Sequence, residues 1–451
     1  MAFLMLILLL AFTIISYFFG KRNLLSPWFL LCLMFLATFL IVLINYDRWD
    51  LDINSKFVVY ITTAIMAFGG GCIVVQSLQV EKPSCRVNKQ MLCKAETRVI
   101  SVKYPVNIFL LTSFICTLIY ITKLFIDAGD NPSLTSTLRR IYEMQSVGGY
   151  SPGFVFNQMR EIVIAISYLN VFRLLVGYYS KSDKISFVKL IIPIILFLIM
   201  ALFSTERNLF LRFAIYCLII WIFIYGSKQN SKNANLKIVV RAALILVVFA
   251  CIFFLFGLAK QYESKFFDQI SIYSASGLNN FNIWIENFNE PLKYGQSTFT
   301  TFLGSFGTVL EIFGIELNGT VEQIDKFIIY TSNNGFYYES NIYSALKPYV
   351  EDFGYFGVIL FPLIIGVFYQ WLYLKAKRST HSFSWIIYAL LIYPIIYFPI
   401  LEQLFRRFHL GFLYEIVWIS VLYYCVFGKV RLKVKPQVAI KTEEVKGSVR
   451  K

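Results

Sequence analysis

The chain has 451 residues, of which 58% are hydrophobic, 18% aromatic and only 15% charged. Soluble domains carry about 25% charged residues, so the composition excludes a soluble enzyme, a disordered chain and a disulfide-rich secreted module. The net charge of +16 would suggest nucleic acid in a soluble protein; here the basic residues sit in short loops between apolar runs, and no nucleic-acid partner is expected.

Apolar runs of about 17–25 residues are long enough to cross a bilayer. They predict an all-α polytopic integral membrane protein with about eleven transmembrane helices, at 2–19, 27–45, 57–78, 104–126, 154–178, 187–204, 208–226, 238–259, 353–374, 384–400 and 412–427. Lys21 and Arg22 follow the first run rather than precede it, so it reads as a retained span and not a cleavable signal. The positive-inside rule then places the N-terminus outside and the C-terminus in the cytoplasm. The rest of the chain agrees. Loops 21–26, 79–103, 180–186, 227–237, 375–383 and the tail 428–451 hold 24 Lys and Arg in 82 residues, whereas the opposite set holds 12 in 145.

The expected organisation is spans one to eight in 1–259, a large outer loop with short helices in 260–352, spans nine to eleven in 353–427, and a basic cytoplasmic tail in 428–451. The outer loop carries 19 aromatic residues and five Lys. Loops of that length are uncommon and usually functional. Within it, residues 299–315 predict an amphipathic or re-entrant helix rather than a span, because Glu311 and three glycines interrupt the run. Six of the eight cysteines fall in apolar spans, and Cys85 and Cys93 share a basic loop, so neither a disulfide framework nor a zinc site is implied.

Ionisable residues within or at the ends of spans are expensive and point to function. Lys123, Arg160, Glu161, Glu206, Arg207, Arg212, Glu351, Asp352, Glu402, Arg406, Arg407 and His409 all fall on the outer side. Arg173 and Arg241, near cytoplasmic ends, can snorkel. Arg207 sits in a turn of about four polar residues between two long spans. A guanidinium there suits a phosphate, to which it donates in bidentate fashion; a local pair with Glu206 is the structural alternative. Arg406, Arg407 and His409 form a second basic cluster at the same level, fit for a pyrophosphate or for ordinary headgroups. Asp352 is either a base or a helix N-cap, and Glu339 and His409 are further base candidates. Loop aromatics such as Trp284 and Tyr343 offer faces for sugar rings or pack the loop's own core. Walker A, dinucleotide-loop, HExxH and GxSxG motifs are absent from the sequence, so no cofactor and no metal are expected.

Three stretches carry a resemblance: STERNLFLRF (204–213), YSASGLNNFNIWIENF (273–288), and NIYSALKPYVEDFGYFGVILFPLIIG (341–366), an Asn-x-Tyr followed by Asp-Phe-Gly-x-x-Gly. With the span count, the chain resembles the bacterial O-antigen polymerases, the Wzy-type oligosaccharide repeat-unit polymerases. The Arg-x10-Gly motif of some members has no match at Arg207, Arg406 or Arg407. The resemblance implies a GT-C-like glycosyltransferase of the inner membrane, independent of metal and nucleotide. It would join undecaprenyl-diphosphate-linked oligosaccharides at the periplasmic face, with a chain-length-regulating membrane protein as a candidate partner. On this reading Arg207 with Arg406 or Arg407 holds the diphosphate. Asp352, or else Glu339 or His409, is the base, and Arg160, Arg212, Trp284, Glu339 and Tyr343 contact substrate. The rivals are an O-antigen ligase-like enzyme, differing in acceptor, and a lipid-linked oligosaccharide flippase or transporter. A transporter would predict internal repeats and charges deep within spans, whereas this sequence places its charges near span ends.

Overall fold

The computed structural model describes residues 1–78, 104–129, 133–147, 150–180, 186–204, 207–228, 266–304, 328–333, 335–378 and 382–428. In chain order these form α1 (Ala2–Phe19), α2 (Pro27–Ile44), α3 (Ser55–Leu78), α4 (Val106–Ala128), α5 (Leu134–Val147), α6 (Phe154–Ser180), α7 (Phe187–Phe203), α8 (Arg207–Lys228) and α9 (Phe266–Asn287). A hairpin of β1 (Ile328–Thr331) and β2 (Tyr337–Ser340) follows, then α10 (Leu346–Arg378), α11 (Ser382–Leu391), α12 (Tyr393–Tyr397), a 3-10 turn (Phe405–Arg407) and α13 (Leu410–Phe427). Eight described helices are long and apolar enough to cross a membrane: α1, α2, α3, α4, α6, α8, α10 and α13. The shorter α7 and the α11–α12 pair are also apolar. The protein is a mostly helical, polytopic membrane protein.

Burial follows the solvent that composition demands. On α1 only Met5, Leu9 and Ser16 are buried, while Phe3, Ile7, Leu10 and Ile14 are exposed. On α4, Ile108, Leu111, Phe114, Ile115 and Leu118 are exposed in the same way. Apolar surface on this scale would be a liability in water and is what lipid-facing helices present. In contrast α6, which carries Asn170, Ser167 and Arg173 inside the bundle, is largely buried.

The central helix pair is α3 with α10. A Cβ on Gly71 would lie 2.2 Å from the carbonyl oxygen of Leu363, and one on Gly366 would lie 2.2 Å from that of Phe68. The two backbones therefore touch through reciprocal glycines, and between lipid-solvated helices such close approach is a main source of packing energy. Gln370 donates from Nε2 to Oε1 of Gln76 at 3.2 Å a turn further along.

Two boundaries differ from the sequence reading. The expected span 353–374 is part of a 33-residue helix that begins at Leu346. Its helical geometry is broken at Gly354, with φ 59° and ψ −144°, a conformation that only glycine adopts without strain. The expected span 384–400 is divided into α11 and α12, with Pro394 at the start of the second. The outer segments also hold more structure than expected. The amphipathic α5 lies within 127–153, and the start of the long loop is the 22-residue α9, packed on α2 and α3. Span 238–259, Arg241, Glu206, Glu311, loop 79–103 with Cys85 and Cys93, and the tail from 429 lie outside the described residues, as does most of 299–315.

Asparagines fasten α9. Asn282 donates to the Asp52 carbonyl at 2.6 Å and accepts from the Asn54 amide at 3.1 Å. Asn280 donates to the Ile342 carbonyl at 2.9 Å, and Tyr338 on β2 donates to Asn280 at 3.0 Å while accepting from Asn279 at 2.9 Å. The NNFN stretch is thus the clamp that holds the hairpin and the 45–54 loop onto the bundle.

Gly71→Val is expected to destabilise the protein by at least about 2 kcal/mol through overpacking against the Leu363 carbonyl. Gly70→Val, where the added atoms would meet open space, serves as control. Thermal unfolding of the purified proteins in detergent checks this: the midpoint should fall for the first and stay for the second.

Candidate functional site

The starts of α6, α8 and α13 meet at one end of the bundle, where the 3-10 turn 405–407 packs between them and the start of α10. This end gathers the buried charge. Glu415, on α13 and 2% exposed, accepts from Arg212 Nη1 at 3.1 Å and from Arg407 Nη2 at 3.3 Å. Arg407 also lies over the Phe412 ring, 4.0 Å from its centroid. Arg160 on α6 pairs with its neighbour Glu161 at 3.5 Å. Among the described residues, Arg160, Arg212 and Arg407 lie with Glu161 and Glu415 in a place where charge is costly. Arg407 Nε and Glu415 Oε1 are buried with no hydrogen-bond partner, so this group holds donor and acceptor capacity its own side chains leave unused.

His409 belongs to the same cluster. Its Nδ1 accepts from the Phe412 amide at 3.3 Å, which makes it the N-cap of α13. Burial, then the fields of Arg212, Arg407 and Arg160, lower its pKa from 6.5 to about 4. His409 is therefore neutral at pH 7, and with Nδ1 accepting, its proton resides on Nε2 and is available to an acceptor.

Glu402 orders the turn. Its carboxylate accepts from the amides of Leu404, Phe405 and Arg406 at 2.8, 2.9 and 2.9 Å, and from the Tyr349 hydroxyl at 3.3 Å. Burial raises its pKa, against the pull of those amides. Phe405 then packs on Phe299 and Tyr349 with ring centroids 5.1 and 6.1 Å apart. Through this one turn the arginine cluster is joined to α10 and to the segment after α9.

The carboxylate of Asp352 is fully buried within α10 and accepts from the amides of Ser297 and Thr298 at 3.0 and 2.6 Å. It anchors the segment that follows α9 rather than capping a helix that starts after it. Glu351 is held by Lys347 at 3.5 Å and Lys293 at 3.6 Å. Lys347, itself buried, lies 4.0 Å from the Tyr343 ring centroid and 5.9 Å from that of Trp284. Tyr343 and Trp284 therefore surround a cation. Glu339 is exposed on β2 and accepts from the Tyr337 hydroxyl. Arg406 is half-buried in the turn, and Arg207 is the first residue of α8.

The structure thus brings Arg160, Arg212, Arg407 and His409 together, sets Trp284 and Tyr343 around Lys347, and leaves Glu339 on the hairpin surface. Glu415 was missed in the sequence reading. Its signal was present: it is the one acidic residue in the span 412–427, and a lone carboxylate at membrane depth implies a cationic partner. No protein-family model, no curated protein and no solved structure matches the chain.

Because the folded-state pKa of His409 lies below its ordinary value, protonation favours the unfolded chain. Its contribution to stability is complete above pH 6.5 and is lost as pH falls toward 4. The detergent-solubilised protein should lose up to about 3 kcal/mol from this group over that window. His409→Asn, which can still cap α13, should lose less over the same window, as measured by thermal midpoints at pH 7.5 and pH 4.5. Glu415→Ala, which strips the buried Arg407 and the half-buried Arg212 of their shared carboxylate, is expected to cost about 3–5 kcal/mol and to lower the midpoint more than Glu339→Ala, which removes an exposed group.

Proposed function

We propose that the protein is a membrane glycosyltransferase that polymerises undecaprenyl-diphosphate-linked oligosaccharide repeat units at the periplasmic face of the inner membrane. The observation that carries this reading is the gathering of Arg160, Arg212 and the buried Arg407 around Glu161 and Glu415 at one end of the helices. A lipid diphosphate is an anion delivered at membrane depth, and guanidiniums bind its oxygens in bidentate fashion. The donor's anomeric carbon–oxygen bond breaks in the reaction, so charge develops on the diphosphate, where fixed cations stabilise it most. The Nε2–H of His409 is a further donor to that oxyanion. Binding would exchange one of the Glu415 contacts for phosphate oxygens, and Glu415 would take the arginines back on release.

The acceptor hydroxyl needs a base. Asp352 is buried and accepts from two amides, and His409 accepts from the Phe412 amide; Glu339, which accepts from the Tyr337 hydroxyl, is the exposed one of the three and the favoured candidate. Arg207 and Arg406, expected from the sequence to hold the diphosphate together with Arg407, remain candidates for that role in this proposal. The N-terminus periplasmic, C-terminus cytoplasmic orientation follows from the basic loops, and the eleven-span count and GT-C-like fold belong to the same proposal.

The test is genetic and biochemical together. Deletion of the gene is expected to collapse the surface-polysaccharide ladder to a single repeat, and the intact gene to restore it. Arg407→Ala and Glu339→Gln, expressed at the normal level, should each reduce polymer at least about a hundredfold, the scale of removing one stabilising donor or a base. An unchanged ladder on deletion overturns the reading. Loss of every attached repeat transfers the protein to a ligase or a flippase.

A further inference from the structure

At the other end of α10 and α13 lies a cavity of about 570 Å³, within the range of small-molecule sites. Its wall is apolar and aromatic, from Leu372, Phe383, Ile387 and Tyr424, and Lys375 and Arg378 stand at its side. The rings form a built surface. Phe383 lies 4.9 Å from Tyr423 and 5.0 Å from Tyr424, centroid to centroid, and Tyr423 is fixed by a 2.7 Å hydrogen bond to Ser382. Among the described residues the lining contains no carboxylate.

We infer that this cavity binds an anionic phospholipid of the surrounding membrane, its phosphate between Lys375 and Arg378 and the start of an acyl chain along Phe383, Ile387 and Tyr424. Charge complementarity selects the occupant. The last turn of α10 carries Lys375, Lys377 and Arg378. Three positive charges outweigh the roughly half negative charge of a helix C-terminus. The same side chains extend into one basic stretch, 375–383, which the charge distribution of the sequence places on the cytoplasmic side, where anionic lipids attract such clusters. The apolar wall rules against a free phosphate as the natural ligand, because phosphate alone leaves Phe383 and Ile387 without a partner. The site lies at the opposite end of α13 from Glu415, so the inference stands apart from the proposed reaction. Its consequence is local: lipid bound here ties the ends of α10, α11 and α13 together.

The experiment uses the full-length protein in a neutral detergent. Thermal midpoints are measured with added phosphatidylglycerol, phosphatidylcholine or inorganic phosphate. Phosphatidylglycerol is expected to raise the midpoint, and the other two to leave it unchanged. In Lys375→Gln/Arg378→Gln the apparent affinity for phosphatidylglycerol, read as the rise over that variant's own lipid-free midpoint, should fall about fivefold for each charge removed. Each single variant should show half the effect on a logarithmic scale, which guards against a fold defect in the double. Lys189→Gln, an exposed lysine on α7 away from the cavity, should retain full affinity. An equal response to phosphatidylcholine, a response to phosphate alone, or full affinity in the double variant overturns the inference.

Discussion

Glu415 is an acidic group on which two arginines from distant parts of the chain converge. In an apolar surround a guanidinium without a counter-charge costs several kcal/mol, so the positions of Arg212 on α8 and Arg407 on the 3-10 turn are tied to that carboxylate. The turn's path is fixed in consequence, and Glu402 completes it by taking up three successive amides. From there Phe405 sets the register of the post-α9 segment, and Asp352 pins that segment from the other side. One buried ion cluster thus organises a whole end of the molecule. Under the proposed function, the guanidiniums of this cluster are the groups an incoming diphosphate would meet.

Below this end the bundle relies on shape more than charge. Gly71 and Gly366 let α3 and α10 meet backbone to backbone, and some polar side chains bond across to a neighbouring helix, as Asn170 on α6 accepts from Tyr104 at 2.7 Å. Charge reappears at the far ends, where lysines and arginines close the last turn of α10. The division of labour matches the solvent: dispersion and close packing act where lipid offers no hydrophobic drive, and ion pairs act near the ends, where their desolvation is partly offset by water and headgroups.

Much of the fold was legible in the sequence because hydrophobic runs and basic loops respond to the bilayer directly. Lys21 and Arg22, or the empty stretch between Ser26 and Tyr46, need no tertiary information to be read. The divided span at 382–397 was harder, since a proline at its second helix does not by itself distinguish a kink from a break. Short helices were expected in 260–352, but the place and length of α9 were not legible because its face is lined with Asn and Ser, which find their partners only in Asn54, Asp52 and Tyr338. At the candidate site, residue types were readable and pairings were not. Arg407 was singled out from its level in the membrane, but nothing local to it reveals Glu415 as its partner. Trp284 and Tyr343 read as sugar platforms, whereas in the fold they flank Lys347, a contact formed across 63 residues of chain in one case and four in the other.

The proposed reaction joins lipid-linked repeat units through the arginine cluster without metal or nucleotide. It is tested most directly by incubating the purified protein with the undecaprenyl-diphosphate-linked repeat units of its own host, in the presence of a chelator and without nucleotides. The expected result is products of two or more repeats with one undecaprenyl diphosphate released for each bond formed, abolished by Arg407→Ala. Repeat units recovered unchanged by the intact, folded protein would contradict it.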